Sequence, residues 1–222
     1  DKPDTRGIMR YTQIQLNRLV SKTHRAGLQL GVHAIGDRAV EAVLKAFEAA
    51  LKRIPLKNRR HRIEHCSVLN PKLIKRMKRL GIIASVQPHF VFSDFWVVDR
   101  LGKARARWVY PFKTLMSEGL IVIAGSDCPV EPIDPLLGIW AAVARRSHPE
   151  ESLAVEEALR MYTVTAAYAS FSEDKNGSIE TGKFADLVIL SDDLFGVPPD
   201  EIRRVTVEMT IVDGKTVYSR NS

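Results

Sequence analysis

Along the first 170 residues the hydrophobic pattern switches repeatedly between helical spacing and short apolar runs. YTQIQLNRLVSKTHRAG has Thr12 as a candidate N-cap, an apolar stripe of Ile14, Leu16, Leu19 and Val20, and Gly27 as a stop. LQLGVH (28–33) then reads as a buried strand. Asp37 is placed to cap a helix whose stripe is Val40, Val43, Leu44, Phe47 and Leu51. RHRIEHC (60–66) is the next strand. Asn70 and Pro71 open a helix that carries Leu73, Ile74, Met77 and Leu80 and closes at Gly81. IIASVQPH (82–89) and LIVIAGSD (120–127) are the third and fourth strands, the latter after a helix stopped by Gly119. Asp134 and Pro135 start another helix, and residues 153–169 supply a last long one.

A strand, a loop and a helix thus recur four times with nearly continuous apolar strands, which argues for an α/β fold with a parallel sheet under helices. The polar strand ends lie 32 (33 to 65), 24 (65 to 89) and 38 (89 to 127) residues apart. An eight-stranded α/β barrel spends roughly 31 residues per unit, so four units predict half of a (β/α)8 TIM-type barrel, residues 1–172. From residue 173 the grammar changes to a Gly-punctuated connection, a strand at 185–190, and two alternating strands around Asp213-Gly214, a hairpin signal. Residues 173–222 are expected to form a small appended β domain.

Composition narrows the partners. The 222 residues are 45% hydrophobic and 27% charged, as in ordinary globular proteins. The net charge of +7 sits in LKNRRHR (56–62), IKRMKRLG (74–81) and GKARARW (102–108), on helix faces and ends. No basic stripe is interleaved with aromatics, so no nucleic-acid partner is expected. No apolar run approaches the roughly 20 residues of a membrane span, and DKPDTRGIMR has no signal-peptide core. Two cysteines make no disulfide framework, and a cytoplasmic setting is expected.

Three strands end in residues able to ligate a metal: His33, His65 and Asp127. A fourth ends in His89, after a proline. In parallel α/β folds the carboxyl ends of strands open on one face. Two imidazoles and a carboxylate suit a divalent ion, zinc above all. His24 and His61, within a helix and at a strand entrance, read as structural or solvent-exposed, and His148 as a loop residue. Cys66 and Cys128 are expected as small buried packing residues, Asp37 and Asp134 as N-caps, and Arg62 with Glu64 as an ion pair on the face away from His65. For Phe90, Phe92, Phe95 and Trp96, packing under a long loop is the simpler account beside substrate contact.

The segments HAIGDRAV, RHRIEH, SVQPHF, GSDCPVEPIDPL, EALRMYTVTAAYA and GSIETGKFADLVIL resemble, in order, the metal-dependent amidohydrolase superfamily, in particular its amidohydrolase-3 group. The resemblance implies a barrel with a small β-sandwich. It implies His33 and His65 as metal ligands closing strands five and six, and Asp127 as both ligand and proton acceptor closing strand eight. His89 is then a candidate to hydrogen-bond the substrate or its oxyanion. The family's His-x-His pair of strand one is absent here, and the only lysine before residue 12 is Lys2, so no strand-four lysine is present either. The chain therefore reads as the carboxyl-terminal half of such an enzyme: a fragment, a split gene product or a truncated form. The expected activity is hydrolysis of an amide or related C–N bond of a small molecule with one or two divalent ions. A deaminase is a close rival, and the alternative is a non-catalytic half-barrel fragment or partner subunit. The half is expected to pair with the missing amino-terminal half or with its own copy.

Overall fold

The computed structural model describes residues 4–55 and 58–220. Lys2, and Leu56 and Lys57 at the head of the first basic cluster, lie outside the described residues. In chain order the elements are α1 (Gln13–Arg25), β1 (Gly31–Ala34), α2 (Asp37–Arg53), β2 (Arg62–His65), α3 (Pro71–Leu80) and β3 (Ile83–Val86). Four short helices follow, α4 (Phe90–Ser93), α5 (Val97–Leu101), α6 (Lys103–Ala106) and α7 (Phe112–Ser117), and then β4 (Val122–Ala124). The rest comprises α8 (Pro135–Val143), α9 (Val155–Tyr162), α10 (Val164–Ala169), β5 (Leu187–Leu190), β6 (Val207–Val212) and β7 (Lys215–Ser219). No helix among the described residues is long and apolar enough to cross a membrane. The chain divides into two compact units. One takes the chain through Val86 together with Asp94–Val122, and the other takes Gln87–Ser93 and the chain from Ile123 onward.

In the first unit β1, β2 and β3 run parallel, with Gly31 opposite Arg62, Ala34 opposite His65, and Arg62 opposite Ile83. The Ala84 N–H donates to the Ile121 carbonyl (3.0 Å) just ahead of β4, and the sheet order is β1-β2-β3-β4. All four β3 residues are buried, whereas β1, at the end of the sheet, buries only Ala34. Val40, Val43, Leu44 and Phe47 of α2 form the expected buried stripe, and α2 packs on α1 and α3. Arg76 and Arg79 of α3 both reach Glu48 of α2, so this basic cluster is partly spent on helix packing.

Local signals explain most boundaries. Thr12 forms a capping box with Gln15, and the Asn70 side chain accepts the Leu73 N–H (3.1 Å) with Pro71 at the first helical position. Two expectations are corrected here. The N-cap of α2 is Gly36; Asp37 sits one residue later, accepts the Arg38 N–H (2.9 Å) and pairs with Arg105 (3.2 Å). In α1 only Leu16, Val20 and His24 are buried, while Ile14 is 81% exposed and Leu19 is also exposed. A helix covered by one neighbour buries a single narrow i, i+4, i+8 row.

His24 and His61 prove to be core residues, linked in a fully satisfied chain. The Leu30 N–H donates to His61 Nδ1 (3.1 Å), leaving His61 Nε2–H for His24 Nδ1 (2.9 Å) and His24 Nε2–H for the Ile54 carbonyl (2.8 Å). Only two neutral rings satisfy this order. Phe47 stacks on His61 at 5.2 Å.

In the second unit α8 is apolar on nearly every side and largely buried, and the Asp134 side chain caps it by accepting the Leu136 N–H (2.9 Å). Gly138 permits a close approach: a Cβ there would lie 1.8 Å from the Tyr162 hydroxyl. The long helix expected at 153–169 is two helices, broken at Thr163 (φ −124°, ψ −94°), whose hydroxyl donates back to the Leu159 carbonyl (2.8 Å). β5, β6 and β7 form an antiparallel sheet. Asp213 (φ 50°) and Gly214 (φ 74°) make the two-residue turn of its hairpin.

Burial, with repulsion from His24 and Arg59, pushes His61 down to about 4 from its usual 6.5. A base depressed in the fold binds fewer protons than in the unfolded chain, so its stability is present above pH 6.5 and is lost as pH falls toward 4. The loss is roughly 3 kcal/mol. Urea midpoints should fall between pH 7 and 4.5, and less steeply in His61→Gln. An equal slope in the two proteins would contradict the neutral pair.

Candidate functional site

In the first unit the structure brings His33 and His65 together. Their ring centroids lie 4.4 Å apart at an interplanar angle of 74°. Sheet register alone does not produce this. His33 is opposite Glu64, and His65 is opposite Ala34, so a regular pleat sends the two histidines to opposite faces. His65 instead has φ 78° and Cys66 φ 51°, both left-handed. Rotation about the N–Cα bond to positive φ swings Cβ away from its pleated direction, at a cost on the order of 1–3 kcal/mol. Such strain on a non-glycine residue concentrates at functional positions. His65 is buried and His33 exposed on the β1 edge. Arg62 Nε and Glu64 Oε1 form the expected ion pair at 2.5 Å.

Two side-by-side imidazoles are a donor set suited to a first-row divalent ion. Among the described residues no group of three or more His, Cys, Asp or Glu side chains is gathered closely enough to hold a metal by itself. The histidine pair fits as part of a ligand set.

In the second unit Asp127 follows β4, exposed and with left-handed backbone (φ 61°), its carbonyl accepting the Val130 N–H (2.9 Å). The same loop continues to Glu131, which is buried. Glu131 Oε2 lies 2.5 Å from His89 Nδ1, and the Ser93 hydroxyl donates to Glu131 Oε1 (2.5 Å). His89 sits on the turn entering α4, where the Phe92 N–H returns to the His89 carbonyl (3.0 Å). Phe92 stacks on Trp140 (4.2 Å), and the Arg203 guanidinium lies 5.2 Å from the same indole. The buried Trp140 Nε1 has no acceptor among the described residues. Sequence reasoning singled out His89 but missed Glu131. A glutamate between prolines in a loop carries the signal of a solvated charge, and only its burial marks it.

Of three further expectations, those for the cysteines and the aromatic cluster hold only in part, and that for His148 holds. Cys66 is buried, its thiol donating to the Ile63 carbonyl (3.4 Å), but Cys128 is exposed, because it follows Asp127 on the loop beyond β4. Phe92 packs, whereas Phe95 is 83% exposed and meets Trp96 edge-on (5.0 Å). His148 is a loop residue with left-handed backbone beside Glu150 (3.1 Å). Burial and the nearby Glu64 push the Cys66 thiol well up. A thiol reagent should therefore label one cysteine, Cys128, in the native chain and two after unfolding. Rapid native labelling of Cys66 would contradict the burial.

The chain matches the Amidohydrolase family over residues 2–218. It is 41% identical to YtcJ of Bacillus subtilis, a protein assigned to the amidohydrolases by name, over all of this chain and 43% of that protein. It is 30% identical to the N-substituted formamide deformylase of Arthrobacter pascens, over 95% of this chain and 40% of the enzyme. A metal-dependent hydrolase structure from Pyrococcus horikoshii OT3 is similar at a TM-score of 0.78 and 35% identity, over 89% of this chain and 41% of that one. The chain thus spans 40–43% of the length of these three relatives. The match of family and parallel sheet together places this chain in the amidohydrolase family.

Proposed function

We propose that this chain is the carboxyl-terminal half of a (β/α)8 metallohydrolase, strands five to eight plus a β segment from residue 173, acting on C–N bonds of small molecules. The observation that carries the proposal is the pairing of the His33 and His65 rings at 4.4 Å against the direction of the pleat. The likeness to the formamide deformylase supports an N-formyl amine or related amide as the substrate class.

In this reading His33, His65 and Asp127 hold one or two divalent ions, zinc by donor chemistry, in a cytoplasmic protein. The metal would supply an activated water and polarise the substrate carbonyl. The Asp127 carboxylate takes the water's proton and returns it to the leaving nitrogen, a role typically worth about 10²–10⁴ in rate. Its ionised form is the one able to accept. His89 Nε2, on the side of the ring away from Glu131, meets the substrate.

The half is proposed to need a partner, the amino-terminal half of the barrel or a second copy, since the outer edge of β1 is unpaired among the described residues. Size-exclusion chromatography of the chain alone should show concentration-dependent association, and a stable compact monomer at micromolar concentration would contradict it. In the assembled enzyme, His33→Ala and His65→Ala should lower bound metal. Asp127→Asn should lower turnover of an N-formyl amine by about 10²–10⁴. Undiminished metal content in the double histidine variant, or undiminished turnover in Asp127→Asn, would overturn the assignment.

A further inference from the structure

The contacts of Glu131 go beyond the ligand set. One carboxylate oxygen takes the Ser93 hydroxyl and the other faces His89 Nδ1, both at 2.5 Å. The Ser93 hydroxyl commits Oε1 as an acceptor, and an imidazole N–H facing Oε2 makes a charge-assisted hydrogen bond that the other tautomer, with two acceptors opposed, lacks. We propose that Glu131 is the positioning residue of His89: it locks the ring in the Nδ1–H form and leaves Nε2 as the working pole. This rests on the reading of His89 as the substrate-facing residue.

The consequences are chemical. A neutral ring held this way presents a lone pair at Nε2, so it accepts a hydrogen bond from a substrate N–H or O–H. It donates from Nε2, as an oxyanion would need, only when the whole ring is protonated. Ser93, at the end of α4, and the turn that carries His89 are one helical turn apart, so a single carboxylate fixes both ends of α4. Glu131 also lies four residues beyond Asp127 on the same loop, with the Val130 N–H tied to the Asp127 carbonyl. The anchor that orients the histidine thereby restrains the loop of the proposed proton acceptor. A buried carboxylate without these donors would be costly, so burial of Glu131 and its pairing belong together.

The test is the tautomer of His89 in the 222-residue chain, read from long-range ¹⁵N–¹H correlations of its six histidines above their titration range, with His89→Gln for assignment. The expected result is neutral His89 in the Nδ1–H form. Glu131→Gln should retain it, because the carboxamide oxygen still accepts, and Glu131→Leu should lose it; Ser93→Ala should leave the tautomer unchanged. In the assembled enzyme Glu131→Leu should lower kcat about 10- to 100-fold, as loss of an orienting partner does, with partial rescue in Glu131→Gln. A neutral Nε2–H ring in the parent chain overturns the proposal even if the leucine variant fails to fold. Unchanged turnover in Glu131→Leu would overturn the positioning role. Absence of any hydrolysis, with the Nδ1–H form intact, would instead count against the proposed function.

Discussion

The left-handed backbone at His65 is the constraint on which the histidine pair depends. Parallel pairing in this register assigns His33 and Glu64 to one face of the sheet and Ala34 and His65 to the other. A residue that stayed in the β region at position 65 would turn its ring away from His33. Positive φ costs an L-residue free energy that the neighbouring core must offset. The surrounding structure does so with Ile63 and Cys66 buried on either side and the Cys66 thiol bonded back to Ile63.

The second unit uses the same device. Asp127 also leaves its strand with left-handed backbone, and the loop beyond it is held at two points, by Glu131 against His89 and Ser93 and by Asp134 capping α8. Asp127 is exposed at the head of this loop, while Glu131, four residues on, is buried against the Ser93 hydroxyl. The two acids differ in burial, not in residue chemistry. The His24–His61 pair makes the complementary point within the core, where two rings are neutral because each nitrogen already has a partner.

Strand and helix positions were legible because their signals are local. Asn70-Pro71, Thr12, Asp134-Pro135 and Asp213-Gly214 act through backbone geometry within three or four residues, and each appears where the pattern placed it. The failures share a different cause. Ile14 and Leu19 of α1, the break at Thr163 and the exposure of Cys128 and Phe95 depend on which surfaces have neighbours, and apolar character alone does not report that. Asp37 was displaced by a single residue, because Gly36 serves as the N-cap without a side chain.

The candidate site divides along the same line. The residue types are set by sequence: His33 and His65 sit at the ends of β1 and β2, whereas His89 and Asp127, expected to close strands, lie three residues beyond β3 and β4 on the following turn and loop. Whether their side chains meet is not a local property. The His33–His65 contact follows from φ at His65, and the partner of His89 is a buried glutamate 42 residues further along the chain. Those features exist only once the sheet register and the packed helices hold the backbone in conformations that the isolated chain would leave.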